Sequence, residues 1–356
     1  MHPVDYAAQT LRGVLDRIPV LDHAKIDDVL IGCSLPEKQL GWNTARLIVN
    51  RAGLPDTVPA QTINRFCSSG LQCIASAANA IIAGEMDVVV AGGVEDMTHC
   101  FAPFPEEYMN PWFHENYEGG YMPMGETAER VADKYGITRE MMDEFSVESH
   151  ARALKARTDG FLADSIIPVT NENGVLVTED EGIRGDTSVQ SLAGLKAVFR
   201  EGGRVTAGNS SQTTDAAAVA VVMEAAVAES LGLKPIARFC CHAVTGCDPT
   251  IMGMGPVYAI PKVLEKCRLS LDDFDVIELN EAFASQAIAC IETLDLPRDK
   301  VNPYGGAIAL GHPMGATGVF LTIKALDYLK RTGGRYALVS MCIGGGMGAA
   351  GVFELL

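Results

Sequence analysis

The sequence predicts an α/β fold made of two similar halves packed face to face, and three observations predict it. Asp87–Gly92 (DVVVAG) is a near-continuous apolar run of the kind that forms a strand covered on both faces. Val301–Gly346 repeats the plan of Thr62–Gly93: a strand ends at a turn, a helix opens, a glycine-containing corner follows, and an apolar strand ends in glycines. A duplicated unit of that kind implies two similar halves. Finally, 356 residues at 48% hydrophobic content suffice for about two domains, and 36 glycines with only 6% aromatics favour tight helix–sheet packing.

The elements follow in order. Met1–Ile18 carries apolar residues at helical spacing. Asp28–Cys33 (DVLIGC) reads as a strand, Thr44–Ala52 as a short helix, and Ala60–Asn64 as a strand running into a turn. Ser68–Ala83 is a small-residue helix before the Asp87–Gly92 strand. From Met97 to about Arg204 the character changes: most of the aromatics and many charges lie here, with an irregular stretch, Pro103–Met124, and a polar helix, Thr138–Arg157. This segment reads as an insertion covering one face of the core. The Ala/Val-rich style returns at Val205, and a Pro/Gly-rich stretch, Cys247–Pro261, precedes a further helix–strand series that includes the strand Asp275–Leu279. The division that follows is 1–259 for the first half, with its insertion at about 97–204, and 260–356 for the second.

The charge and cysteine content exclude several classes. A net charge of −17 lacks the basic footprint of a nucleic-acid binder, so an anionic ligand must be held by local groups. No apolar run approaches the roughly 20 residues of a membrane span. Met1–Thr10 lacks the apolar core of a secretory leader, and none of the ten cysteines forms a CxxC pair, so a reduced, cytoplasmic setting is expected.

Four segments carry chemistry. Cys67, in Asn64-Arg65-Phe66-Cys67-Ser68-Ser69-Gly70, sits at a strand–helix junction. Unpaired N–H groups and the positive end of a helix dipole favour the reactive thiolate there; the bland alternative is a buried core thiol. His312, followed by Pro313 at a helix start, occupies the corresponding place in the second copy. It can take a thiol proton or donate to an oxyanion, or it can merely cap the helix. The glycines three residues on, Gly70 and Gly315, strengthen the correspondence, and the duplication brings Cys67 and His312 to a shared cleft. Cys342 ends a buried strand before Gly344-Gly345-Gly346, whose N–H groups can form an oxyanion hole. The literal G-x-G-x-x-G of Gly346–Gly351 would need a helix, a second strand and an acidic residue about 20 residues on to bind a dinucleotide, and the sequence ends at Leu356. Asn280 follows a strand and can orient a water or a carbonyl, with Glu281 beside it in a supporting role. Cys240-Cys241-His242 with Cys247 does not have zinc-ligand spacing, so no metal is expected.

Taken together, NRFCSSGLQ, NEAFA, GGAIALGHPMGATG and CIGGGMG, in that order, closely resemble the motifs of the thiolase family. The resemblance extends to Val205–Ala218 and Met252–Pro256 and covers nearly the whole sequence. It implies two αβαβα halves with an inserted loop domain that holds coenzyme A. It also implies an acyl-CoA acyltransferase working by ping-pong through a thioester on Cys67. By that resemblance His312 deprotonates Cys67 and Cys342 exchanges the proton of the acetyl-CoA enolate. One oxyanion site would use His312 and a water on Asn280, the other the N–H groups of Cys67 and Gly344. Coenzyme A is then a substrate, with no permanently bound cofactor.

The expected coenzyme A contacts are Met124, Lys196 (where relatives carry arginine) and Cys241 (where they carry serine). A homodimer or homotetramer is expected, and some degradative relatives pair with a hydratase–dehydrogenase subunit. A β-ketoacyl synthase would pair its cysteine with two histidines, or with His and Asn, where this sequence has Cys342. A non-catalytic acyl-CoA binder is the reading from another class. The family pattern also places a core strand and an Arg-Thr-Pro loop ahead of the first helix, whereas this sequence opens at that helix. Either the start is misplaced or the sheet forms without the strand, and loss of a central strand would expose ladder groups.

Overall fold

A computed structural model describes residues 1–101 and 104–356; Pro103, the first residue of the irregular stretch, lies with Ala102 outside the described residues. Helix α1 (Pro3–Asp16) starts on Pro3 behind a capping His2 and buries Leu11 and Leu15. Strand β1 (Asp28–Gly32) is followed by α2 (Thr44–Arg51), capped by Asn43, then β2 (Ala60–Ile63), α3 (Ser69–Ile82) and β3 (Val88–Asp96). The inserted segment contributes α4 (Met124–Tyr135) and α5 (Arg139–Thr158). The core resumes with β4 (Asp215–Met223). Then come β5 (Ala237–Gly246), α6 (Gly255–Cys267), β6 (Val276–Leu279), α7 (Ala284–Leu294), α8 (Met314–Thr332), β7 (Tyr336–Ile343) and β8 (Met347–Leu355).

Two four-stranded sheets result, ordered β2-β1-β3-β4 and β5-β8-β7-β6, beside a two-stranded ribbon in the inserted segment that pairs Val169–Thr170 with Leu176–Val177. In the first, β1 pairs parallel with β2 and β3, and β3 antiparallel with β4. In the second, β6 pairs parallel with β7, and β7 antiparallel with β8. A single parallel bridge from Ile277 to Val301 stands where the first sheet has β2. The duplicated plan therefore holds strand for strand, except that β5, antiparallel to β8, has no counterpart beside β4 among the described residues. The vacant place is at the edge of the first sheet. The sequence-level worry about a central strand is corrected accordingly: β1, β3 and β4 pair without interruption.

Because β5 joins the second sheet, the change of sheet falls between Met223 and Ala237, ahead of the 259/260 division taken from the sequence. Helix α6 begins inside the Pro/Gly-rich stretch and accommodates Pro261, and α4 is a regular amphipathic helix that the sequence reading left unassigned.

The sheets sandwich α3 and α8, which cross at glycines. A Cβ on Gly70 would stand 2.8 Å from the Gly315 carbonyl, and one on Gly315 2.6 Å from the Val94 carbonyl. Any larger residue would separate the helices and pull apart the two turns at their N-terminal ends. Lys324 of α8 lies fully buried 2.9 Å from Glu278 of β6 and donates to the Gly305 carbonyl, which fixes the register of helix on sheet.

Candidate active site

The N-terminal ends of α3 and α8 and the C-terminal end of β7 meet at one place. Cys67 lies in a 3₁₀ turn, Phe66–Ser68, just ahead of α3. Phe66 has φ +42°, a left-handed conformation strained for a large side chain, and short polar groups hold it there. Asn64 Oδ1 accepts the Phe66 N–H at 2.8 Å, while the Ser34 and Ser69 hydroxyls each donate to the Phe66 carbonyl at 2.7 Å. The corner turns Cys67 inward, where it is buried.

Burial decides the charge state. It pushes the Cys67 thiol up to about 11, against the N–H groups of Gly344 and Cys67 itself, which face the sulfur and pull the other way. The expected bias toward thiolate therefore does not hold at rest, because desolvation of a buried anion outweighs two backbone dipoles. The same N–H pair is positioned to stabilise an oxyanion on a group attached to this sulfur. Burial also raises the Cys342 thiol well above its usual range, and negative charge on Cys67 raises it further. The two thiols thus do not ionise together.

His312 is buried too, which depresses its imidazole to about 4 and leaves it neutral. Its tautomer is assigned from its neighbours. Thr317 Oγ1, 2.7 Å from Nδ1, donates its own proton to the Pro313 carbonyl, so it must accept the Nδ1 proton. Nε2 is left as the basic nitrogen. Asn280 Nδ2 lies 3.3 Å from Nε2 and 3.4 Å from Nδ1, and Asn280 Oδ1 is buried with no partner among the described residues, as suits an amide that binds water or substrate. Glu281 points away from the thiols: it accepts from Ser149 and Asn302 and meets the Ile308 N–H, a bracing role in line with the sequence reading.

Of the other sequence-predicted residues, Met124 is at the site: a Cβ built on Gly344 would stand 3.4 Å from its sulfur. Lys196 is exposed on the loop after Ala193, with no ion-pair partner among the described residues. Cys241 lies beneath α6, its sulfur against that of Cys267 on that helix. The register of β5 shifts at Cys240, so Cys240 and Cys241 both pack on the helix-covered core.

Several functional neighbours escaped the sequence reading. Thr317 sets the histidine tautomer. The 206–214 segment walls the site: Ser211 N–H bonds the Ala282 carbonyl, and His312 N–H bonds that of Gln212. Phe199 packs flush against Gly125, edge-on to Phe283. Among the described residues no cluster of metal-ligating side chains is present, and no helix is long and apolar enough to cross a membrane.

Comparison with known proteins adds family context. The family described as "Thiolase, N-terminal domain" matches residues 1–226, and "Thiolase, C-terminal domain" matches residues 233–355. A 3-ketoacyl-CoA thiolase of Bacillus subtilis (strain 168) is 46% identical, with 100% of this chain and 94% of the relative covered. A beta-ketoadipyl-CoA thiolase of Escherichia coli is 44% identical over 98% of this chain and 93% of its own. The crystal structure of the Bacillus anthracis acetyl-CoA acetyltransferase superposes with a TM-score of 0.92 at 41% identity, covering 100% of this chain and 93% of that one.

Proposed function

The chain belongs to the thiolase family and is an acyl-CoA acyltransferase, and from that premise we propose the residue roles and the reaction course that follow. His312 Nε2 takes the Cys67 proton once substrate has displaced water. The Cys67 thiolate adds to the 3-keto carbon of a 3-oxoacyl-CoA, and the resulting oxyanion faces the N–H groups of Cys67 and Gly344. The bond between C2 and C3 then breaks: the acyl group stays on Cys67 as a thioester, and acetyl-CoA leaves as an enolate whose oxygen sits on His312 and a water held by Asn280 while the Cys342 thiol protonates its carbon. The Cys342 thiolate next deprotonates free coenzyme A, which attacks acyl-Cys67. This second oxyanion, on the same carbon, faces the same N–H groups, and its collapse expels Cys67, which takes its proton back from His312. Condensation is the same sequence reversed.

The single observation that carries this course is geometric: the turn that bears Cys67, the helix start that bears His312 and the strand end that bears Cys342 meet at one buried place. Burial keeps both thiols protonated at rest, so each ionises only as a reacting partner takes its proton.

Met124 and Lys196 are proposed to border the coenzyme A channel, Met124 at its inner end and Lys196 at the exposed phosphate end. A homo-oligomer is also proposed. The outer edge of β2 is unpaired among the described residues, a surface suited to a second copy. For the compartment we propose the cytoplasm, where the reactive thiols of Cys67 and Cys342 stay reduced. The direct test is incubation with acetyl-CoA followed by mass spectrometry. A single acetyl adduct on Cys67, absent in Cys67→Ala, supports the reading, and equal labelling of the two proteins refutes it.

A further inference from the structure

Glu95 is fully buried at the end of β3 and has no cationic partner among the described residues. Its carboxylate is instead held by backbone N–H groups. Oε2 accepts from Ser34 at 2.9 Å and from Gly315 at 2.8 Å; Oε1 accepts from Leu35 at 3.1 Å. Ser34 and Leu35 belong to the first half, and Gly315 opens α8 of the second.

The two partners of Oε2 lead straight to the chemistry. Ser34 donates its hydroxyl to the Phe66 carbonyl, one residue before Cys67, and its own carbonyl accepts from Asn64, which shapes the same corner. Gly315 stands three residues after His312, in the first turn of α8, where an N–H would otherwise lack a partner. A carboxylate there also meets the positive end of the helix dipole. Burial raises the Glu95 pKa while the three N–H groups lower it.

We infer that Glu95 is a positioning residue: one carboxylate clamps the Cys67 corner to the His312 helix and so fixes the approach of base to nucleophile. The inference rests on the roles proposed above for Cys67 and His312. A displacement of about 1 Å between reacting groups can cost on the order of 100-fold in rate, so the clamp need yield only slightly to matter.

Reach and charge separate in two variants. Glu95→Asp keeps the charge and can keep Ser34 and Leu35, but it is one methylene short of Gly315. Glu95→Gln keeps the length and loses one acceptor. For folded protein we expect kcat of thiolysis with acetoacetyl-CoA and coenzyme A to fall roughly 10- to 100-fold in Glu95→Asp and less in Glu95→Gln. KM should stay within about threefold, because the clamp does not border the proposed coenzyme A channel. Alkylation of Cys67 by iodoacetamide should lose its His312 assistance, its pH dependence moving toward that of His312→Ala. Should the Glu95 variants fail to fold, Ser34→Ala tests the same link by removing only the hydroxyl bond to Phe66, with an expected loss of about 3- to 10-fold in kcat. A lowered Tm with unchanged kcat and an unchanged alkylation profile would reduce Glu95 to a structural residue and overturn the proposal. Wild type and Cys67→Ala run alongside. If wild type forms no acetyl-Cys67, the underlying reading fails; if it does and the clamp variants match it in rate, only the clamp fails.

Discussion

Thr317→Val isolates the histidine tautomer from every other property of the site. Valine keeps the shape of threonine and deletes one hydroxyl. That hydroxyl takes the His312 Nδ1 proton at 2.7 Å and passes its own to the Pro313 carbonyl at 3.1 Å. In the variant the Nδ1–H of the productive tautomer is a buried donor with no acceptor, a penalty of about 1–3 kcal/mol. The alternative tautomer carries its proton on Nε2, where the otherwise unpartnered Asn280 Oδ1 can receive it once the amide turns over. The productive form becomes the minor one by roughly 5- to 150-fold at about 1.4 kcal/mol per decade. Formation of acyl-Cys67 in a single turnover should slow by that factor with little change in KM, whereas Thr317→Ser should stay within about threefold of wild type. Rapid-quench mass spectrometry of the acyl-enzyme measures the rate. A Thr317→Val enzyme as fast as wild type would show that Nδ1 is not the protonated nitrogen, and the assignment of Nε2 as base would fall with it.

Three further outcomes follow from the same geometry. Cys342→Ala should still form acetyl-Cys67 from acetyl-CoA but lose carbon–carbon chemistry by about 1,000-fold or more, checked by adduct formation against acetoacetyl-CoA turnover. His312, depressed to about 4, is the neutral base at all higher pH, and its function is lost as pH falls through that value; Cys67, raised to about 11, stays a thiol until then. Wild-type acylation should therefore be flat between about pH 5 and 10, while His312→Ala, dependent on spontaneous thiolate, should gain roughly tenfold per pH unit over that range. Gly315→Ala would place a Cβ 2.6 Å from the Val94 carbonyl and 2.7 Å from that of Gly32, both backbone, so overpacking should cost about 1–3 kcal/mol or more in urea unfolding.

The legible part of the site was local. Cys67 and His312 each announce themselves by a strand end, a small-residue helix start and a glycine three residues on, and Cys342 by an apolar strand running into glycines. Glu95 and Thr317 carry no such mark. Glu95 matters through Ser34 and Gly315, 61 and 220 residues away, and nothing short-range encodes that meeting. Thr317 looks like any small helical residue until the ring beside it is seen. The contact between Cys241 and Cys267 was not legible, because a register shift at Cys240 turns both neighbouring cysteines toward α6 and no local pattern marks it. Helix α4 was missed because the irregular stretch was carried as far as Met124, where the helix begins. Pro123 precedes its first turn, and Gly125 is where Phe199 lies flat.

The unmatched rim of β4 has a consequence for the molecule in solution. From Ala216 to Val222 no residue bears a charge, and the strand stays partly open to solvent where its counterpart β8 is covered on both sides. No bulge, proline or lysine on that rim turns away a second chain seeking to extend the ladder. What keeps copies apart at a distance is the overall charge of −17, a repulsion that reaches only about 8–10 Å at physiological ionic strength. Colloidal behaviour should therefore hinge on electrolyte: light scattering should rise steeply with sodium chloride.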